Sequence, residues 1–157
     1  RENPDWRFEE LTPAHFAQCL ALLDEWTLQR QDERDQEDLR EERRAIEEAF
    51  AHYEELGLLG GCLLVGDRMA AFTLGEVTGG DALDVRFEKA DPNWEGAFAM
   101  VNREFARLVA ARRPDLRWLN REEDLGLEAL RKAKLSYRPA FLLEKFTAFG
   151  PGAGHTC

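Results

Sequence analysis

The sequence predicts one mixed α/β domain, in which a mainly antiparallel central sheet carries helices on both faces. Helix-type spacing of apolar residues, short apolar runs separated by glycine turns, and the order of these segments all indicate this class. The predicted order is β-α-α-β-β-β-α-β-α-β, so hairpins come first and strands separated by helices follow. The 157 residues, 44% of them apolar, are enough for one hydrophobic core. We therefore expect a single domain over residues 1–149.

The first part of the chain predicts a strand followed by two amphipathic helices. Residues 6–11 form the expected opening strand, and Thr12 followed by a proline is a typical helix start. Apolar residues then recur every three or four positions, which indicates one buried helix face. Residues 29–42 are nearly all charged and predict a solvated linker that runs into the second helix, which Gly57 ends. An exposed binding segment is the alternative for this charged stretch.

The chemistry of the chain changes after Gly57, where strands and helices begin to alternate. Gly66-Asp67-Arg68 joins two short apolar runs, as in a β-hairpin. Phe98, Val101 and Phe105 are expected on the buried face of the long helix that follows the third of these strands. The predicted elements are strands at 62–65, 69–74, 82–87, 116–119 and 141–149 and helices at 96–112 and 125–135. Residues 150–157 predict a disordered tail.

Charge and hydropathy restrict the classes of partner. A net charge of −10 argues against a ligand held mainly through its phosphate backbone, so nucleic acid is not expected to bind this domain by itself. No apolar run approaches the roughly 20 residues needed to cross a bilayer, and the first residues do not resemble a secretion signal. We expect a cytoplasmic protein. The chain begins with Arg1 and not Met, which suggests a piece of a longer protein.

The cysteines and histidines do not predict a metal site. Cys19, Cys62 and Cys157 lie far apart without a CxxC pair, which is typical of thiols kept reduced in the cytosol. The three histidines are equally scattered. We therefore expect no metal ion.

Polar residues concentrate in three segments at predicted strand ends and helix starts, where α/β sheets commonly bind ligands. These segments are residues 86–91, 120–124 and 131–137. The third holds most of a basic cluster, which is rare in so acidic a chain, and it closely follows the acidic run at 122–124. Charges of both signs at one end of a sheet are typical of a site for a small polar or zwitterionic substrate.

These segments also allow a purely structural interpretation. Asp124 or Glu123 can cap the next helix, because an acid there accepts backbone N–H bonds and meets the positive end of the helix dipole. Arg131 and Lys134 lie one turn apart and can pair with acids at the surface. Glycosidase and magnesium sites lack support, since the adjacent acids diverge, and no hydrolase, P-loop or zinc-protease motif is present.

These same segments resemble a known family. The stretches FEKAD at 87–91, NREEDLG at 120–126 and LRKAKLSY at 130–137 are similar to those of the DUF2156 family, and the resemblance runs from about Trp6 to Phe149. That family is similar to the C-terminal catalytic domain of phosphatidylglycerol lysyltransferases, of the GNAT-like acyltransferase superfamily. Members usually carry two GNAT-like domains in tandem, and this chain resembles the second.

The resemblance implies a GNAT-like fold and, by analogy, transfer of an acyl or aminoacyl group to an amine or hydroxyl. In the better-known relatives the donor is aminoacyl-tRNA and the acceptor is a lipid. Acetyltransferases hold the CoA pyrophosphate with a glycine-rich loop at a helix N-terminus. Here only Gly96 matches that loop as a cofactor-binding residue, and Glu95 adds a negative charge, which argues against acyl-CoA.

Two functions follow as hypotheses. In the first, the domain is a transferase in which Glu88 or Glu122 is the general base and Tyr137 a proton donor. Residues that bind the substrate or stabilise the oxyanion are then expected in all three polar segments. They are Lys89, Asn120, Arg121, Arg131 and Lys134. In the second hypothesis, the domain is a non-catalytic GNAT-like module that binds a ligand or a protein, and the polar clusters are structural ion pairs.

Overall fold

A computed structural model describes residues 5–28, 33–122, 126–144 and 146. The chain divides into two compact units, Arg1–Glu122 and Glu123–Cys157. Among the described residues, the first unit contains five strands and three α-helices, and the second contains one helix. The elements are β1 Trp6–Glu10, a 3₁₀ turn Pro13–His15, α1 Phe16–Leu28, α2 Glu33–Ala51, β2 Leu59–Val65, β3 Arg68–Val77, β4 Ala82–Ala90, α3 Ala97–Arg112, β5 Trp118–Asn120 and α4 Glu128–Ser136.

The strands of the first unit form one sheet in the order β1-β2-β3-β4-β5. Neighbours from β1 to β4 pair antiparallel, whereas β4 and β5 pair parallel. The mixed, mainly antiparallel sheet predicted from the sequence is therefore confirmed. Strand β3 is buried without interruption from Met69 to Gly75, which explains its continuous apolar sequence, because both faces of the central strand are covered.

Helices cover the two faces of the sheet and divide its core. One face packs against α1 and α2, with Ile46, Phe50 and Phe72 among its buried residues. The opposite face packs against α3, where Val101 and Phe105 are fully buried. Helices on both faces were expected from the predicted order of elements.

Four sequence expectations require correction. Helix α2 already begins at Glu33, since charged residues on a solvated helix face do not prevent helix formation. Strand β4 continues to Ala90, and α4 begins at Glu128. Phe98 was expected to be buried but is 41% exposed. In the first turn of α3, Ala97 and not Phe98 lies on the buried face with Val101 and Phe105.

The predicted last strand, at residues 141–149, does not form in the part of this segment that the structure describes. Residues 141–144 and 146 belong to no strand. Phe141, Leu142 and Leu143 are 50%, 72% and 68% exposed. An apolar run becomes a strand only when a neighbouring strand and a core bury it. The rest of this segment, the predicted tail at 150–157 and the predicted caps Glu123 and Asp124 lie outside the described residues.

One irregularity in β4 determines which side chains face which helices. Leu74 pairs with Phe87 and Gly75 pairs with Val85, so Arg86 is an additional residue in β4 and forms a β-bulge. Val85 packs on the α3 side and Phe87 on the α2 side. Arg86 lines the same groove as Phe87. The bulge therefore turns two consecutive side chains towards α2.

The bulge depends on a glycine opposite it. A Cβ atom at Gly75 would lie 2.3 Å from the backbone oxygen of Asp84 and 3.1 Å from its carbonyl carbon. We predict that Gly75→Ala lowers the free energy of unfolding by about 2–3 kcal/mol, because the backbone must move. Urea denaturation measures the loss.

Gly57→Ala is the control for this prediction. Gly57 has a φ of +61° but open space around its Cα, so only the left-handed backbone penalty of about 1 kcal/mol applies. A loss at Gly75 no larger than the loss at Gly57 would contradict the close contact.

Candidate active site

Strands β4 and β5 share only a short ladder, and charged side chains join them beyond it. The ladder pairs Ala82–Asp84 with Trp118–Asn120. After its end, the side chain of Arg121 donates to Glu88, and that of Arg86 donates to Glu122. Consecutive residues after β5 therefore reach two different residues of β4.

The first ion pair lies on the α3 side of the sheet. Arg121 Nη2 donates to Glu88 Oε1, and Asn102 Nδ2 of α3 donates to Glu88 Oε2 at 3.3 Å. The Glu88 side chain is only 10% exposed. Thr73 pairs directly with Glu88 across β3 and β4. The Thr73 hydroxyl is buried and has no hydrogen-bond partner among the described residues. Four polar side chains thus gather under an otherwise apolar helix face.

The second ion pair lies on the α2 side. Arg86 Nε donates to Glu76 Oε1 at 2.6 Å, and Arg86 Nη1 donates to Glu122 Oε1 at 2.6 Å. Burial by itself lowers the pKa of Arg86, but the hydrogen bond to Glu76 and the nearby charge of Glu122 raise it above its ordinary value. Arg86 therefore stays a cation between two carboxylates.

A groove of about 400 Å³ opens beside this second ion pair. Glu76, Arg86 and Glu122 form its polar part. The remaining lining is apolar and comes from Ala49, Leu56, Leu58, Leu74 and Phe87. The groove combines an apolar wall with a few convergent charges, which is the usual composition of a small-molecule site.

The side chain of Asn120 holds the turn after β5. Asn120 Oδ1 accepts the Glu122 N–H at 3.1 Å, and Asn120 Nδ2 donates to Asp84 Oδ1 at 2.9 Å. Glu122 itself has a φ of +52°, in the left-handed region that residues other than glycine rarely adopt. Such strain is often found at functional sites.

Two predicted site residues are positioned away from these ion pairs. Lys89 Nζ contacts Glu42 Oε2 of α2 at 2.8 Å. Gly96 is the N-cap of α3, with a φ of +83°, and no atom lies within 4 Å of a Cβ built on it. Its left-handed backbone favours glycine, and its role in binding a cofactor stays a prediction; the neighbouring Glu95 is exposed and negative.

The other predicted site residues belong to the second unit. Arg131 and Lys134 lie on α4, and Tyr137 is its C-cap. The Tyr137 side chain is partly exposed at 45%. Their participation in the site stays a prediction.

Sequence reasoning assigned no role to four residues of the two clusters, although Arg86 belongs to the polar segment 86–91. Glu76, Arg86, Asn102 and Thr73 contact or neighbour the predicted residues. Thr73 is a polar residue within an apolar strand, and Asn102 lies on an apolar helix face, so both carried a signal. Glu76 carried none, and Arg86 was noted only as part of the polar segment 86–91, because only the bulge brings them together with Glu122.

The family model for the C-terminal domain of phosphatidylglycerol lysyltransferases matches residues 1–149. The chain belongs to this family. No curated protein matches it. A conserved protein of unknown function from Bacteroides thetaiotaomicron VPI-5482 is 40% identical, with a TM-score of 0.76 over 88% of this chain. The chain spans only 46% of that protein.

Acetyltransferases of known structure share the fold of this lysyltransferase-family domain. A ribosomal-protein-alanine N-acetyltransferase from Brucella melitensis biovar Abortus 2308 is 16% identical, with a TM-score of 0.63 over 92% of this chain and 99% of its own. An aminoglycoside acetyltransferase from an uncultured soil sample, solved with sisomicin, is 12% identical, with a TM-score of 0.60 over 93% and 95%. The GNAT-like fold is therefore confirmed.

Two further properties concern the described residues of this family member. No helix there is both long and apolar enough to cross a bilayer. The same residues contain no group of three or more His, Cys, Asp or Glu side chains arranged to hold a metal ion.

The backbone strain at Glu122 leads to a stability prediction. Because its φ of +52° favours glycine, Glu122→Gly should be more stable than Glu122→Ala by about 1 kcal/mol. Both variants lack the carboxylate, so the loss of its ion pair contributes equally to their two free energies of unfolding. Urea denaturation of the two variants provides the measurement.

The same pair of substitutions at Glu41 is the control. Glu41 is an exposed residue within α2, where glycine is less stable than alanine by about 1 kcal/mol. The order of the two variants should therefore reverse. The same order at both positions would contradict the strained turn.

Two cysteines are buried and unsuited to nucleophilic chemistry. Burial raises the pKa of the Cys62 thiol to about 12 and also raises that of Cys19. We predict that iodoacetamide at pH 8 labels both residues only as the chain unfolds, because the thiolate is the reactive form. Peptide mapping with and without urea measures this; rapid labelling in the native state would contradict it.

Proposed function

We propose that the domain transfers an acyl or aminoacyl group from an activated donor to the amine or hydroxyl of a polar acceptor. Membership of a lysyltransferase family and the GNAT-like fold support this class of reaction. The observation that carries the proposal is the pair Arg121 and Glu122. They hold a guanidinium and a carboxylate on opposite sides of the sheet where β4 and β5 part. Acyl transfer needs both a base and an oxyanion partner.

Glu122 is the general base in this proposal. Its side chain is 28% exposed and lines the groove on the α2 side, where an acceptor can reach it. Glu88 is less suited, because Arg121 and Asn102 already bond to its two oxygens and it is nearly buried. Of the two candidate bases from the sequence, Glu88 and Glu122, the proposal keeps Glu122 as the base and makes Glu88 the residue that positions Arg121.

Arg121 stabilises the oxyanion that forms on the donor carbonyl. Its guanidinium is held by Glu88 on the α3 side, so its direction is fixed before the reaction. A prearranged cation lowers the barrier without reorganisation during the reaction.

The proposed transfer forms one bond to the donor carbonyl carbon and breaks another. The acceptor nitrogen or oxygen bonds to the donor carbonyl carbon and gives its proton to Glu122. The bond from that carbon to the leaving sulfur or oxygen then breaks, and the leaving atom takes up a proton. Tyr137 of the second unit is the proposed donor of that proton.

The remaining predicted residues have binding or supporting roles in this proposal. Arg131 and Lys134 are proposed contacts for the phosphates of the acyl donor. Lys89 contacts Glu42 of α2, and Asn120 contacts Asp84 of β4, so both support the site.

An aminoacyl ester is the preferred donor over acyl-CoA. At the start of α3, Gly96 offers an open position, but the exposed carboxylate of Glu95 opposes a pyrophosphate there. The name of the family, lysyltransferase, supports the same choice.

The main alternative is a non-catalytic GNAT-like binding module. Its support is that Glu88, Arg86 and Glu122 already form ion pairs within the domain. In this alternative the ion pairs only hold β4 and β5 together, and the domain catalyses no reaction.

Activity of substituted chains separates the two functions. We expect transfer of a labelled lysyl group from lysyl-tRNA to a mixture of small amines and polyols, with much less transfer from acetyl-CoA. Glu122→Gln should lower kcat about 100-fold or more, because it removes the base. Arg121→Ala should lower it by about 100-fold through the lost oxyanion partner.

Stability measurements make this test decisive. Glu54→Gln makes the same change of charge at an exposed residue that does not line the groove, so it should retain full activity. Thermal unfolding of Glu122→Gln should stay close to that of the unsubstituted chain. Loss of the fold in Glu122→Gln, or no transfer with any donor, would favour the binding module.

A further inference from the structure

Thr73 is a buried hydroxyl in an otherwise apolar stretch of β3. Between Met69 and Gly75 it is the only polar side chain, and its exposed fraction is 0%. The hydroxyl has no hydrogen-bond partner among the described residues. A buried hydroxyl without a partner costs free energy that a valine of the same shape does not. The contacts of the folded chain therefore leave the choice of threonine unexplained.

The side chain of Thr73 points to the α3 side of the sheet. Its neighbours in β3, Phe72 and Leu74, belong to the core of the opposite side, and the side chains of a strand alternate between its faces. Thr73 pairs with Glu88 of β4. Residues directly opposite each other in antiparallel strands have Cβ atoms about 4.5–5.5 Å apart. The Thr73 hydroxyl is therefore within reach of the Glu88 carboxylate.

The Glu88 carboxylate has room for another donor. A carboxylate can accept about four hydrogen bonds, and Arg121 and Asn102 supply one each. The bond from Asn102 is long, at 3.3 Å. Arg121 is therefore the main partner of Glu88 and the cation that compensates its charge.

Opening of this ion pair would move Arg121 and not Glu88. The side chain of Arg121 is 24% exposed and follows the end of the β5 ladder, whereas that of Glu88 is 10% exposed and lies within β4. After opening, Glu88 would keep only the long bond from Asn102. Loss of the cation beside a nearly buried carboxylate is strongly destabilising. A donor that replaces Arg121 therefore lowers the cost of opening.

We propose that Thr73 is a positioning residue that donates its hydroxyl to Glu88 whenever Arg121 turns away. It keeps the carboxylate in place for the return of the guanidinium. The part that this plays in the reaction rests on the proposed function: the pair opens as the acyl donor enters and is closed during the transfer. The exchange of hydrogen-bond donors at Glu88 does not depend on that function.

A change of sign between two backgrounds tests the exchange. In the unsubstituted chain, Thr73→Val should lower the equilibrium constant for unfolding in urea about fivefold, because it removes a buried hydroxyl that has no partner. In Arg121→Met, where Glu88 needs another donor, the same substitution should raise this constant about fivefold. All other contacts of Arg121 are lost from both chains of the second comparison and cancel. Effects of the same sign in both backgrounds would overturn the proposal.

Two control substitutions assign the effect to the hydroxyl. Thr73→Ser keeps the hydroxyl and loses a methyl group, so it should change the unfolding constant equally in the two backgrounds. Thr78→Val makes the same change as Thr73→Val at an exposed residue that follows β3, and it too should act equally in both. A difference between backgrounds as large in either control as in Thr73→Val would overturn the assignment.

A second background keeps the test open if Arg121→Met does not fold. Arg121→Lys then takes its place, since lysine keeps the positive charge but lacks the planar fork of the guanidinium. Thr73→Val should still be less favourable in this background than in the unsubstituted chain. Equal effects of Thr73→Val in the two chains would overturn the proposal.

The role in the reaction has a separate kinetic readout. In stopped-flow measurements, Thr73→Val should slow the association of lysyl-tRNA about tenfold, because the opening of the ion pair becomes more costly. The single-turnover rate of transfer at saturating lysyl-tRNA should stay unchanged, because the closed pair is intact. An unchanged association rate would overturn the role of Thr73 in donor entry.

The two proposals fail separately. If Thr73→Val changes sign as expected but the chain transfers no lysyl group from any donor, the transferase function is contradicted and the exchange at Glu88 stands. If the chain transfers a lysyl group while Thr73→Val has the same sign in both backgrounds, the function stands and this inference is wrong.

Discussion

The bulge at Arg86 is the constraint on which the rest of the site depends. Side chains of a regular strand alternate between its faces, so Arg86 and Glu88 would share a face in an unbroken β4. The additional residue changes this alternation, and Arg86 meets Glu76 and Glu122 on the α2 side while Glu88 meets Arg121 and Asn102 on the α3 side. One strand thus serves two separate polar clusters.

Ion pairs take over from the backbone ladder where β4 and β5 part. After three paired residues, no further ladder between these strands is present in the described chain, and the Arg86 and Arg121 pairs bridge the strands instead. Partly buried pairs of this kind contribute little net stability, but removal of one partner leaves a charge without compensation. They therefore fix geometry more than they add stability. Glycine at position 75 permits the arrangement, because the backbone of Asp84 lies against it.

The sequence predicted the elements that have a local cause and missed the features that depend on pairing. Helix periodicity and glycine turns predicted each helix and the first five strands. The apolar run from Phe141 resembled a strand, yet its residues are exposed, since burial depends on the surroundings of a segment. Arg121, Glu122 and Glu88 were identified through polar segments and family resemblance. Glu76 was not, and Arg86 was noted only as a member of the segment 86–91, because a bulge is a property of the register between strands, which no single segment contains.

The separation of the two clusters has a consequence for the proposed reaction. Arg121 and Glu122 do not pair with each other, since each is paired with a different residue of β4. Under the proposed function, an acceptor from the α2 side and a donor from the α3 side meet only where β4 and β5 part, so the reaction is confined to that opening.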